Sequence, residues 1–197
     1  MEAIRYVVAN RERQGASADL RQIYESSDDP AVRMAVISAY RSAGDKAGLL
    51  SIASAAGEPL TVRRQAVSSL TDVATPQDLW ALYQKEPNSE LRAAIVSAFG
   101  SMGAIEQVNQ VIRTEKDPAV RQRAIRVLGS RKSENTGAAL VDLYGRETDT
   151  ATRRAVISAL ANQNNAEGLI AIDAGGKIVF VNNEALRLLA GFENHGG

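Results

Sequence analysis

The sequence predicts a mainly α-helical protein, in which about five helix pairs stack as an α–α superhelix and a small C-terminal β-hairpin plus helix follows. Two observations predict the helix pairs. Five nine-residue blocks align without a gap, and apolar residues recur at fixed offsets upstream of each block. A third observation predicts the hairpin, because residues 166–197 depart from the repeat and contain a Gly-Gly pair followed by a β-branched run.

The nine-residue blocks predict the second helix of each repeat. Their first, fifth, sixth and ninth positions are mostly apolar, which is typical of a helix with one buried face. Residues 12, 9 and 8 positions before a block, such as Leu79, Leu82 and Tyr83, predict a first helix with its own buried edge. Central positions of the five blocks are expected to be buried, and these are Val36, Val67, Ile95, Ile125 and Val156.

Acid-proline pairs predict short turns between the two helices of a repeat. Proline suits a turn or the first helical position, and a nearby acid favours a helix N-terminus. These pairs are Asp29-Pro30, Glu58-Pro59, Glu86-Pro87 and Asp117-Pro118, whereas the fifth repeat has no proline and begins its block with Thr152. Glycines that follow second helices predict left-handed C-caps at Gly44, Gly103 and Gly129.

The pattern Val-Arg-x-x-Ala-Val-x-x-Leu after Asp-Pro resembles the HEAT repeat in its short bacterial form, over about residues 17–164. The resemblance implies a right-handed superhelix with the nine-residue blocks in its inner row. We therefore expect one repeat domain over residues 1–165. It comprises an N-terminal helix over 2–14 and repeats at about 17–44, 45–74, 75–103, 104–132 and 133–164.

Residues 166–197 are predicted to form a β-β-α element and a tail. Gly175-Gly176 favours a hairpin turn between strands at Leu169–Ile172 and Lys177–Val181, and Glu184–Leu189 favours a short helix. This segment resembles the opening of a PAS domain, which implies a fusion or chimera of a HEAT body with a partial sensor. The residues that would line a PAS ligand pocket have no counterpart here, so the resemblance implies no haem, flavin or other ligand.

The predicted hairpin suggests a homodimer through residues 168–192. An isolated two-stranded hairpin is marginal in water and leaves unpaired edges, which a second copy could cover. The alternative is a monomer in which the short helix folds back on the last helix pair. The candidate dimerisation residues are Ile170, Ile172, Ile178, Phe180, Leu186, Leu189 and Phe192.

Composition argues against several classes of function. Cysteine is absent and His195 is the single histidine, which argues against thiol catalysis, a histidine-based triad and a multi-histidine metal site. The basic and acidic residues number 23 each, without the basic excess of a nucleic-acid binder. No apolar run is long enough to span a membrane. We expect no enzyme activity, cofactor, nucleic acid or membrane partner, and a cytoplasmic location, or a periplasmic one if the chain is cut from a longer parent.

The second position of every block is arginine. Two interpretations are open for Arg33, Arg63, Arg92, Arg121 and Arg153. The five side chains form a ladder that binds an anionic partner, or each pairs with an acid in its own or the adjacent turn. Around Arg121 the sequence adds a denser basic patch, which we interpret as a solvated face. Trp80 is either an exposed anchor or partly packed, and we favour packing.

The functional hypothesis is a non-catalytic protein–protein interaction scaffold with an unidentified partner. The alternative is a HEAT-like enzyme, of the chromophore lyase or DNA-alkylation glycosylase type, which the resemblance also includes.

Overall fold

A computed structural model describes residues 13–131, 134–162, 170–172 and 178–181. Within these ranges the chain is mainly helical, as predicted, and most of the predicted helix over 2–14 lies outside them. The elements are α1 (Arg13–Glu25), α2 (Pro30–Ala43), α3 (Lys46–Ser54), α4 (Leu60–Leu70), α5 (Pro76–Lys85), α6 (Ser89–Met102), α7 (Ile105–Thr114), α8 (Pro118–Gly129), α9 (Glu134–Arg146), α10 (Thr150–Asn162), β1 (Ile170–Ile172) and β2 (Ile178–Val181). We call the odd-numbered helices first helices and the even-numbered ones second helices.

The chain divides into two compact units, Met1–Gln107 and Val108–Gly197. In the first unit, α2 packs against α4 and α4 packs against α6, while α1, α3 and α5 each pack against the second helix that follows. In the second unit, α8 packs against α10, and α9 packs against both. Second helices therefore stack on second helices within each unit, as the repeat predicts.

The apolar stripes of the blocks form the core, as predicted. Val36, Val67, Ile95, Ile125 and Val156 are each at most 1% exposed. The stripes of the first helices are buried as well, at Leu20, Leu79, Val108 and Leu140 among others. Because a lone helix pair would leave one of these stripes in water, their burial stabilises each pair only in the presence of its neighbours.

Side-chain caps explain where the helices begin. Asp29 and Asp117 cap α2 and α8, whose first residues are the predicted prolines, and Asn88 caps α6 after Pro87. Thr75 and Asp78 form a capping box at the start of α5. Hydrogen bonds from the Thr75 side chain and backbone, together with Lys46, lower the pKa of Asp78 to about 2.

The fifth repeat lacks the proline but keeps a capped start. Thr152 is fully buried where the other blocks have an apolar residue. Its hydroxyl donates to Asp149 Oδ2 at 2.6 Å, and its backbone N–H donates to the same oxygen at 2.7 Å. These bonds hold the pKa of Asp149 below its usual value. Asp149 therefore takes the place that the acid-proline pair has in other repeats.

Two of the three predicted glycine caps are confirmed. Gly44 and Gly103 have φ of 70° and 72° and end α2 and α6 in the left-handed conformation. The prediction for Gly129 is wrong, because this residue is the last one in α8 and the cap after it is Ser130 in right-handed geometry. A Cβ atom at Gly129 would overlap the Cβ atom of Ala159. Glycine is needed here because α8 and α10 approach closely.

The two strands pair antiparallel, with Ile170 opposite Val181, Ala171 opposite Phe180 and Ile172 opposite Ile178. The register shifts between Ala171 and Ile172. The predicted turn at Gly175-Gly176 and the predicted helix at Glu184–Leu189 lie outside the described residues. The candidate dimerisation residues Leu186, Leu189 and Phe192 lie outside them too.

Candidate functional site

The five block arginines share one contact. Each lies near the start of a second helix, and its guanidinium donates to a backbone carbonyl at or just beyond the end of the preceding first helix. This bond ties the two helices of a repeat together across their turn. The pairs are Arg33 Nε with Ser27 O (3.1 Å), Arg63 Nε with Ala53 O (2.9 Å), Arg92 Nη1 with Glu86 O (3.2 Å), Arg121 Nη1 with Glu115 O (3.4 Å) and Arg153 Nε with Glu147 O (2.6 Å).

Arg33, Arg63 and Arg121 also reach a glutamate of the following repeat. Arg33 Nη1 donates to Glu58 Oε2 at 2.8 Å, and Arg121 Nε lies 3.6 Å from Glu147 Oε2. Arg63 Nη2 pairs with Glu86 Oε2, while Arg63 Nη1 donates to Glu86 Oε1 at 3.4 Å. We call this set of contacts the arginine–glutamate ladder.

The glutamates of the ladder also organise the turns. Glu86 Oε1 accepts the backbone N–H of Asn88 at 2.9 Å, and Asn88 caps α6. Glu147 Oε1 accepts the N–H of Asp149 at 2.9 Å, and Asp149 binds the first turn of α10. One carboxylate therefore joins the turn of its own repeat to the arginine of the repeat before it.

The ladder is partly or fully shielded from water. The side chains of Arg63 and Glu86 are 8% and 2% exposed, and those of Arg33 and Glu58 are both 17% exposed. Arg33 also lies 5.2 Å from the ring centroid of Tyr24, whose own pKa is raised by burial and by the nearby Glu58 carboxylate. Shielding strengthens these charge-assisted bonds, because less water competes for the guanidinium.

The contacts of Arg33, Arg63 and Arg121 are those of the second sequence interpretation, in which each arginine pairs with an acid of a neighbouring turn. Partner binding by Arg33, Arg63, Arg92, Arg121 and Arg153 stays a prediction. The glutamates were not identified from the sequence as the partners of these arginines, although a signal was present. Glu86, Glu115 and Glu147 each lie five residues before their block, and Glu58 lies four before its own.

A second set of arginines lies on the solvent-exposed side of the second helices, opposite the buried apolar stripe. We call this the outer side of these helices. These helices contain ten arginines and one acidic residue, Glu90, and they contain no lysine or aspartate. Five of the ten are the block arginines, and the other five are exposed, at Arg41, Arg64, Arg123, Arg126 and Arg154. Serine is the seventh residue of four blocks, at Ser38, Ser68, Ser97 and Ser158. The outer side of the second helices is therefore small, polar and cationic.

Trp80 is half-buried on α5 and packs within an aromatic cluster. Its ring stacks on Tyr83 with centroids 5.2 Å apart and planes at 15°, and it lies 6.1 Å from the ring of Phe99. Trp80 is therefore partly packed, as predicted from its sequence position.

A cavity of about 230 Å³ lies beside α1 and α3. Its lining includes Arg21, Tyr24, Glu25, Tyr40 and Glu58. The Glu58 carboxylate of this lining is paired with Arg33. Among the described residues, no three His, Asp or Glu side chains cluster closely enough to hold a metal ion.

The comparisons with known proteins support a HEAT-like helical repeat. Residues 105–173 match the family described as HEAT repeats, a stretch that includes α7 to α10 and β1. No curated protein is similar enough to the chain to count as a match. In the part of the chain that the structure describes, no helix is both long and apolar enough to cross a membrane.

Proposed function

We propose that this chain is a non-catalytic scaffold that binds a protein partner through the outer side of its second helices. HEAT repeats generally mediate protein–protein interaction, and a stack of repeats offers an extended binding surface. The observation that supports the proposal most directly is how the residues of the second helices are distributed around the helix. One side buries the apolar stripe and the block arginine holds the turn. The remaining side has small and polar residues, with exposed arginines on four of the five second helices.

The polar character of this side indicates how a partner is recognised. Among the described residues, Val141 on α9 is the one large apolar side chain that is clearly exposed, at 44%. A partner of the second helices therefore meets hydrogen-bonding and charged groups rather than an apolar groove. Such a surface favours specificity and fast association over a permanent hydrophobic interface.

Site-specific photo-crosslinking tests the proposed side. The crosslinking amino acid p-benzoylphenylalanine is introduced at Ser68 on α4 or at Ser158 on α10, which are both exposed second-helix positions. Matched controls carry it at Gln84 on α5 or Gln110 on α7, which are exposed first-helix positions. We expect ultraviolet irradiation in an extract of the source cells to capture the same protein at Ser68 and Ser158, and not at the controls.

Equal capture at all four positions, or capture at the first-helix positions alone, would contradict the proposed side. Transfer of a chromophore, or release of alkylated bases from DNA, by the purified chain would overturn the non-catalytic assignment and favour the enzymatic alternative.

We also propose that residues 168–192 join two copies of the chain, within a C-terminal segment derived from the start of a PAS-like domain. The support is the antiparallel pairing of β1 and β2 in a sheet that has two strands among the described residues. A sheet of this size has unpaired edges, and pairing with a second copy would satisfy them.

Light scattering at tens of micromolar tests the dimer. The full chain is expected to have a measured mass of twice its chain mass of 21.1 kDa. A version ending at Asn165 is expected to have the mass of a monomer. The shorter version keeps all ten described helices, so its circular dichroism at 222 nm checks that the repeats remain folded. If both versions run as monomers, the dimer proposal is wrong and the capping alternative stands.

A further inference from the structure

We propose that three exposed arginines of the second unit, Arg123, Arg126 and Arg154, form a docking site for an extended acidic segment of a protein partner. We call these residues the basic face. This inference rests on the proposed scaffold function and adds the chemistry of the partner.

The two helices that present the basic face lie side by side in the same direction. Near their starts, Arg121 Nη2 donates to Thr152 Oγ1 at 3.2 Å. Near their ends, Gly129 approaches Ala159 so closely that no Cβ atom would fit at the glycine. The start of α8 therefore lies beside the start of α10, and the ends of the two helices lie beside each other. Equivalent positions of the fourth and fifth blocks thus lie on the same side of the pair.

The three arginines occupy exposed block positions on these two helices. Arg123 and Arg126 are the fourth and seventh residues of the fourth block, and Arg154 is the third residue of the fifth block. All three are exposed, as is Ser158. The three guanidinium groups are therefore presented from one continuous surface that spans α8 and α10.

No carboxylate from either helix neutralises this surface, because α8 and α10 contain no acidic residue. Two acids of the nearby turns have other contacts. Asp117 accepts the N–H groups of Ala119 and Val120, and Asp149 accepts bonds from Thr152. Within the described part of the chain, Arg126 and Arg154 form no ion pair.

The spacing of the arginines matches an extended acidic chain. Arg123 and Arg126 are separated by about 4.5 Å along the helix axis, and packed helices lie about 8–10 Å apart. An extended peptide advances about 3.3 Å per residue, so acidic residues two or three positions apart reach successive guanidinium groups. Ala119, Ala151 and Ser158 flank the arginines with small side chains, which lets a peptide lie close to both helices.

The same features favour an acidic peptide over a nucleic acid. A nucleic-acid site typically neutralises many phosphates and stacks bases on aromatic rings. The basic face has three arginines, and neither α8 nor α10 contains an aromatic residue. A guanidinium fork fits a carboxylate with two parallel hydrogen bonds, so a few arginines suffice for a short acidic segment.

Fluorescence anisotropy with a defined probe tests the inference on the full chain. The probe is a labelled octapeptide, Ser-Glu-Gly-Glu-Ser-Glu-Gly-Glu, and its control has glutamine in place of each glutamate. The test variant is Arg126→Glu with Arg154→Glu. The matched variant is Arg113→Glu with Arg146→Glu, which makes the same change in charge at exposed first-helix positions of the same unit.

We expect wild-type protein to bind the glutamate peptide and not the glutamine peptide, with affinity that falls as salt is added. The test variant should bind at least about tenfold more weakly, and the matched variant should stay within about twofold of wild type. Equal binding of both peptides, equal loss in both variants, or no binding by wild type would overturn the inference. Tighter binding of a 20-nucleotide single strand than of the peptide would overturn it in favour of a nucleic acid.

Photo-crosslinking at Ser158 in the Arg126→Glu, Arg154→Glu background separates this inference from the scaffold proposal. If the partner is still captured there, the basic face is not its docking site while the scaffold function stands. If the wild-type background captures no protein at Ser68 or Ser158, the scaffold proposal itself fails.

Discussion

Replacing Ile95 with aspartate is expected to lower the free energy of unfolding by about 4 kcal/mol, which is enough to lower the melting temperature by about 10 °C. Ile95 lies in the middle of α6 and is fully buried. An aspartate there has either a buried unpaired charge or a neutral carboxyl group without a partner, and the apolar contacts of the isoleucine are lost. Thermal unfolding followed by circular dichroism measures the change.

Ser101→Asp in the same helix is the control. Ser101 is exposed, so its substitution adds the same group without burying it. Its position in the last turn of α6 is mildly unfavourable for an acid, with an expected cost below about 1 kcal/mol. A fall in melting temperature of less than one degree for Ile95→Asp would contradict the placement of this stripe in the core.

Replacing Glu86 with glutamine is expected to lower the free energy of unfolding by about 3 kcal/mol, because Arg63 would remain buried without a counter-charge. The two side chains are 8% and 2% exposed, and the guanidinium has one further bond, to the carbonyl of Ala53. Glutamine keeps the shape of glutamate, so the loss reports the charge rather than packing. Urea unfolding monitored at 222 nm gives the difference.

The matched control is Asp142→Asn, which removes the acid of the exposed pair with Arg146. These side chains are 59% and 77% exposed, and such a pair contributes at most about 0.5 kcal/mol. The double variant Arg63→Met, Glu86→Leu is expected to be more stable than Glu86→Gln alone, since it leaves no buried charge. A loss for Glu86→Gln no larger than that for Asp142→Asn would show that the buried ladder is not a determinant of stability.

Sequence periodicity determined the repeat and its core because both are local properties. A helix side is set by residues three and four positions apart, so the burial of Val67 or Ile125 follows from a nine-residue window. The caps at Gly44 and Gly103 follow from similarly short windows, because a helix end is organised by the residues beside it.

Only the tertiary structure decided the partners of the arginines and the role of Gly129. Arg63 is 23 residues from Glu86, and Arg121 is 26 residues from Glu147, so these pairs exist only once neighbouring repeats are stacked. Gly129 precedes a turn and so favours a cap by sequence, but its missing side chain makes room for Ala159, which is 30 residues away. Side-chain contacts between repeats depend on the distance and register of the stacked helices, and no local window contains that information.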